Sequence, residues 1–359
     1  MRPFHHGTLA LSNLALGAAT LGLVGLTAGA FGASSVVEAQ RRPPIFRTER
    51  GGPTMEVAAR AQTGVQPKSV NLSPDGSRVV VCNFGRPDVD NVFIYDALTL
   101  ERVGVVSFEG NAVESAFSPD GDVLYVSNFR RHVVEVIDFT TLEVQAEIEV
   151  GTNPKTISVS PDGGTLYVAN YFDQSVSVVD VEAQRELRRL RTGSRPRGLG
   201  LMRDGSLLAA SFHDDTIHHF DAGAATEREA WEVCRYPRDI LPFPDGSGFY
   251  LTCSLGRISF HRLEGGGRPF GIAPTGRNPR SIGLSSDGRW LGVANFTSSD
   301  ITLIDTERRT HRTHRVPGAQ RIVGLAMHPS SDVIRLYATS WDTNELILMT
   351  GTPPTEAAQ

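Results

Sequence analysis

The sequence predicts an all-β protein: a seven-bladed β-propeller of four-stranded antiparallel blades, closed by an N-terminal strand that completes the last blade. Three observations predict it. An Asp-Gly signature recurs every forty-odd residues, each period carries short apolar runs, and the last period lacks its fourth run while an orphan run precedes the first.

Ser-Pro-Asp-Gly and its variants place Asp75, Asp120, Asp162, Asp204, Asp245 and Asp287 at intervals of 45, 42, 42, 41 and 42 residues. An alternating apolar run precedes each, as in Ile157 and Val159, and another follows, as in Leu166-Tyr167-Val168. Aspartate bonds its own backbone and glycine accepts a positive φ, so each signature is a hairpin turn. The third run usually ends in aspartate: VFIYD (92–96), VVEVID (133–138), SVSVVD (175–180), TIHHFD (216–221) and ITLID (301–305). A fourth follows, as in AEIEVG (146–151). Four such strands at this period make one blade.

The seventh period starts at Gln320 and stops at Met349 after three runs, and residues 56–64, EVAARAQTG, carry the missing fourth-strand register. Pairing the two leaves no open sheet edge. The predicted organisation is a propeller over 54–350, with a linker over 40–53 and a tail over 351–359.

Residues 1–39 differ in composition from the rest. Arg2 and two histidines precede an uncharged run over 8–33 rich in Leu, Ala, Gly and Thr. That is the pattern of a signal peptide, with small residues for cleavage at 28–30 and 37–39, the latter favoured. An uncleaved anchor is the competing reading, which the glycines and Asn13 weaken. Cleavage leaves no membrane span and predicts a periplasmic or extracellular protein. Three cysteines are too few for a disulfide framework, but Cys234 and Cys253 reach one end of the same hairpin and are either bridged or reduced. A formal net charge of −5 gives no argument for nucleic acid.

Two rings of residues share the face opposite the Asp-Gly turns. The first is basic: Lys68, Lys155, Arg197, Arg238, Arg280 and Arg321 align at the start of the innermost strand, while the second period has Val113 and then Glu114. Like charges around one axis repel, so the ring is read as an anion-attracting mouth, or else as cations paired to neighbouring carboxylates. The second ring follows the second strand, as Asn83-Phe84, Asn128-Phe129, Asn170-Tyr171, Ser211-Phe212, Asn295-Phe296 and Ser340-Trp341, broken by Cys253-Ser254. Asn or Ser suits a strand exit by capping local backbone. The aromatics are either wedges between blades or the rim of a ligand mouth.

YVSN (125–128), YVAN (167–170) and GVAN (292–295), with SPDG ahead and VID or VVD behind, resemble the YVTN-repeat seven-bladed β-propeller family over nearly the whole mature chain. The resemblance implies an exported or cell-surface binding protein. Neighbouring seven-bladed propellers include lactone hydrolases and haem- or quinone-linked redox domains.

The expected function is therefore a monomeric binding or scaffolding module whose mouth recognises an anionic small molecule, an acidic polymer or a protein partner. One alternative is a lactonase-like hydrolase using Glu114, His132 or His213 beside cationic oxyanion stabilisers. The other is a quinone- or haem-linked redox accessory. No bound cofactor is predicted, because no haem-attachment, zinc, phosphate-loop or nucleophile-elbow motif is present. Asp88, Asp90, Asn91, Asp173, Asp214, Asp300 and Asp342 lie in loops, but their spacing is not that of a calcium loop and no metal is predicted.

Overall fold

Strand runs such as Val79-Val80-Val81-Cys82 are continuously apolar because both of their faces are covered. Val79 and Val81 point to a core shared with Tyr337 and Leu348, whereas Val80 and Cys82 point to one shared with Leu124 and Ile137. The two-residue period thus feeds two inter-blade cores from one strand. The structure, a computed structural model, describes residues 42–49, 52–223, 225–264, 266–329 and 333–352. The signal-peptide reading of 1–39 and most of the tail read at 351–359 lie outside these residues.

The unit from Pro43 onward contains seven sheets and, among the described residues, no helix. Blade one is formed by Pro67–Leu72, Arg78–Asn83, Val92–Asp96 and Arg102–Val106, in that order from the axis outward. Blades two to six repeat the order, starting at Ala112–Phe117, Pro154–Val159, Pro196–Leu201, Pro237–Pro242 and Pro279–Leu284. Blade seven takes Ile322–Met327, Ile334–Ser340 and Glu345–Gly351 from the C-terminal end and Met55–Gln62 from the N-terminal end. The predicted closure is therefore observed, with Met55 opposite Gly351 and Gln62 opposite Glu345.

Local chemistry explains the turns. Gly76, Gly121, Gly163, Gly205, Gly246 and Gly288 all have φ between 73° and 84°. The aspartate before each accepts local hydrogen bonds, and those from Ser73 and Ser77 hold the Asp75 carboxyl down to about 2. Third-strand aspartates cap the next turn, as Asp138 does for the amides of Thr140 and Thr141. Asn128, Asn170 and Asn295 are buried at the ends of second strands and reach the third strand seven residues on, at Glu135, Ser177 and Thr302.

The 40–53 region is not wholly a linker. Ile45 bridges Ile272 of blade five, Arg47–Thr48 adds a parallel fifth strand to blade six, and Phe46 is buried against Phe260 at 4.5 Å. The short sequence had no period of its own to reveal this pairing.

Glu135 is fully buried and accepts one hydrogen bond, from Asn128, while its second oxygen has no partner among the described residues. Burial raises its carboxyl from 4.5 to about 7. Folding therefore binds a proton, and the associated stability is present below pH 4.5 and is lost as pH rises to about 7. Glu135→Gln should melt like the parent at pH 4.5 and gain about 1–3 kcal/mol at pH 8; a pH-independent difference in thermal melts would contradict this.

Candidate functional site

Five blades enter their innermost strand through a residue with positive φ followed by proline: Gln66, Asn153, Arg195, Tyr236 and Asn278 have φ of 50–60°. Proline fixes the entering backbone, and the next side chain meets its counterparts at the axis. Those side chains are Lys68, Lys155, Arg197, Arg238 and Arg280. Arg321 is not one of them. It occupies the positive-φ position at 57°, Ile322 faces Ser340 as Pro67 faces Asn83, and Val323 takes the axial place. Without a proline to mark it, the seventh register falls two residues later than the sequence pattern suggests. Arg321 is exposed and sits 3.1 Å from Asp342 Oδ2.

The axial cavity is about 270 Å³ and is lined by Lys68, Glu114, Arg197, Arg238, Asp239 and Arg280, among others. A second cavity of about 200 Å³ lies at the mouth, shares Lys68, Arg197 and Arg280, and adds Lys155, Val113, Phe84, Phe129 and Trp341. Among the described residues, no carboxylate lies within 4 Å of any of the five axial cations. Arg238 is 9% exposed; its Nε donates to Ser254 Oγ at 2.7 Å, yet among the described residues its Nη1 has no partner, nor has Arg280 Nε. Burial, then the charge of Arg197, holds Lys68 and Lys155 well below the ordinary ammonium range. The same causes press Arg238 and Arg280 downward, although a guanidinium keeps its proton at neutral pH.

Asp239 was missed by sequence reasoning, although Pro237-Arg238-Asp239 aligns with Ala112-Val113-Glu114. Its Oδ2 accepts the amide of Ile282 in the next blade at 3.1 Å. Burial, then the proximity of Glu114, raises its carboxyl to about 7, and burial also raises Glu114 against the pull of Lys68 and Arg197.

The aromatic ring is half-buried and, among the described residues, lies outside the inter-blade core clusters. Cations cover part of it. Lys155 Nζ lies 4.0 Å from the Tyr171 centroid, Arg238 4.7 Å from Phe212, and Arg280 3.3 Å from Phe296. Phe84 instead meets Phe129 at 5.7 Å and Trp341 at 6.2 Å.

The histidines do not join this site. His132 and His213 are exposed and line neither cavity; His132 Nδ1 accepts the Asn153 amide, and Arg195 donates to His213 Nε2. They sit on outer loops because blade geometry brings strand starts, not strand-connecting loops, to the axis. Nor do the loop acids gather. Asp88 holds the Gly110 amide, Asp173 pairs with Arg189, and Asp300 accepts from Asn295. Among the described residues no group of three or more His, Cys, Asp or Glu is arranged to hold a metal.

Cys234 and Cys253 form a disulfide with a Cα–Cα distance of 5.8 Å. Blades one, three and six have glycine and asparagine at these two places: a Cβ on Gly64 would meet Asn83 at 2.6 Å, and one on Gly276 would meet Asn295 at 2.8 Å. Blade five thus replaces a close glycine–asparagine contact with a covalent bond three residues before Pro237.

The family model described as lactonase, 7-bladed β-propeller, matches residues 38–228. The solved structure of Kuenenia stuttgartiensis hydrazine synthase is similar in fold, with a TM-score of 0.70 at 21% identity, covering 81% of this chain and 97% of that one. Among curated proteins none matches.

The double variant Cys234→Gly, Cys253→Asn gives blade five the pattern of blades one, three and six. It should fold and lose about 2–3 kcal/mol in denaturant titrations under oxidising conditions, the contribution of a loop of this length. No loss of stability would contradict a constraining role for the bridge.

Proposed function

The chain belongs to the seven-bladed β-propeller lactonase family, and from that premise we propose that it is an exported propeller, of the YVTN-repeat kind, that binds an anionic ligand in its central mouth. The observation that carries this reading is the axial cluster: among the described residues, five cations have no carboxylate in ion-pair contact, and guanidinium nitrogens of Arg238 and Arg280 have no partner. A buried donor without an acceptor costs about 1–3 kcal/mol, more when charged, so a carboxylate or phosphate placed there relieves a standing penalty. Export is supported by the disulfide, a bond that persists in oxidising compartments.

Family membership and the two axial acids favour a second reading, hydrolysis of an anionic lactone. A carboxylate of Glu114 or Asp239 takes a proton from water, the hydroxide attacks the ring carbonyl, and the ring C–O bond opens. The leaving oxygen then collects the proton, giving a hydroxy acid, while the arginines stabilise the oxyanion.

Titration calorimetry with inorganic phosphate tests binding. Arg197→Ala, Arg238→Ala and Arg280→Ala combined should weaken it at least 100-fold while the fold persists by circular dichroism; unchanged affinity would sink the reading. Ionisation of Asp239 near pH 7 adds a negative charge to the cavity. Phosphate affinity should therefore fall between pH 6 and pH 8 beyond what phosphate's own ionisation explains, and Asp239→Asn should flatten that excess. For the second reading, turnover in a lactone screen should drop at least 100-fold in Glu114→Gln or Asp239→Asn and persist in His132→Ala; the opposite pattern restores the histidines.

A further inference from the structure

The mouth is not symmetric. Axial cations stand on four consecutive blades, three to six, as Lys155, Arg197, Arg238 and Arg280, while blades seven and two place Val323 and Val113 at the same position. Lys68 of blade one stands between the two valines.

The aromatic ring is unequal too. In blades two, three, four and six each aromatic carries a cation within 6 Å of its centroid: Phe129, Tyr171, Phe212 and Phe296. Blade five gives up its aromatic for Ser254, which holds Arg238 Nε. Among the described residues, Phe84 and Trp341 carry no cation; they stack on each other at an interplanar angle of 29°. Both rings line the mouth cavity of about 200 Å³ together with Val113 and Phe129, and Lys68, Lys155, Arg197 and Arg280 supply the rest of its lining.

We infer that the ligand is amphiphilic, with a compact anionic head seated on Arg197, Arg238 and Arg280 and a flat apolar group, one ring in size, laid against Phe84 and Trp341. This deepens the anion-binding reading and rests on it. A purely polar anion such as a sugar acid leaves the apolar wall wet, whereas an aryl or cyclic hydrophobic anion covers it. Burying one ring against aromatic side chains is worth more than ten-fold in affinity. The head group fixes the ligand's position because its acceptors meet the unpartnered Arg238 Nη1 and Arg280 Nε.

Calorimetry with methylphosphonate and phenylphosphonate separates the two claims, because the heads match and only the ring differs. The expected result is binding of both, with phenylphosphonate at least ten-fold tighter. In Trp341→Ala that ratio should collapse toward one, and Trp341→Phe, which keeps an aromatic face, should retain most of it. Equal affinity for the two in the parent overturns the amphiphilic ligand and leaves the anion site standing. Failure of both to bind overturns the anion site and the inference with it. A ratio that survives Trp341→Ala in a folded variant places the ring elsewhere and also overturns the inference.

Discussion

Antiparallel pairing of Met55–Gln62 with Glu345–Gly351 closes the ring, and closure brings seven copies of one strand-start position to a common axis. A repeat protein that stacked in a line would spread those positions along a surface. Here they face one another across a cavity of about 270 Å³, so any residue type repeated there acts collectively. Five cations at that position create a field that no single blade could generate. The ring also tolerates them: Tyr171, Phe212 and Phe296 present their faces to Lys155, Arg238 and Arg280, and such contacts contribute about 0.5–2 kcal/mol each.

Where the repeat departs from itself is where the chemistry differs. Blade two gives Val113 and Glu114 in place of a basic residue and a small one, and blade five gives Asp239 in the same second register. Blade five also exchanges the glycine–asparagine pair for a disulfide and its rim aromatic for Ser254. The bridge fixes the loop that delivers Arg238, and Ser254 fixes the guanidinium itself. Three changes in one blade thus converge on a single side chain, which a drift of neutral substitutions would not require.

The fold was legible because each of its levels repeats. Asp-Gly turns, third-strand aspartates and YVAN-type strand exits recur at a constant period, so errors in one copy are corrected by the others. The axial site was legible to the same extent and no further. The proline before them places five of the six basic residues, while Arg321, lacking that mark, stands two residues before the axial position, which Val323 fills. Asp239 escaped notice since a lone aspartate beside an arginine has no signature until its register is compared with Glu114. His132 and His213 line neither cavity, and sequence alignment could not foresee that because it gives the face of a loop but not its distance from the axis. The strap of residues 44–48 has neither period nor motif, and only tertiary pairing with blades five and six defines it.

The central claim is that the axial cations are held unpaired for an anion. Anomalous diffraction from crystals soaked in selenate tests it directly, since selenium locates the anion without assumptions about its partners. The account predicts a selenium peak on the propeller axis within hydrogen-bonding distance of Arg238 Nη1 and Arg280 Nε. An empty axis, with the arginines turned onto Glu114 and Asp239 and selenate bound only at outer loops, would contradict it.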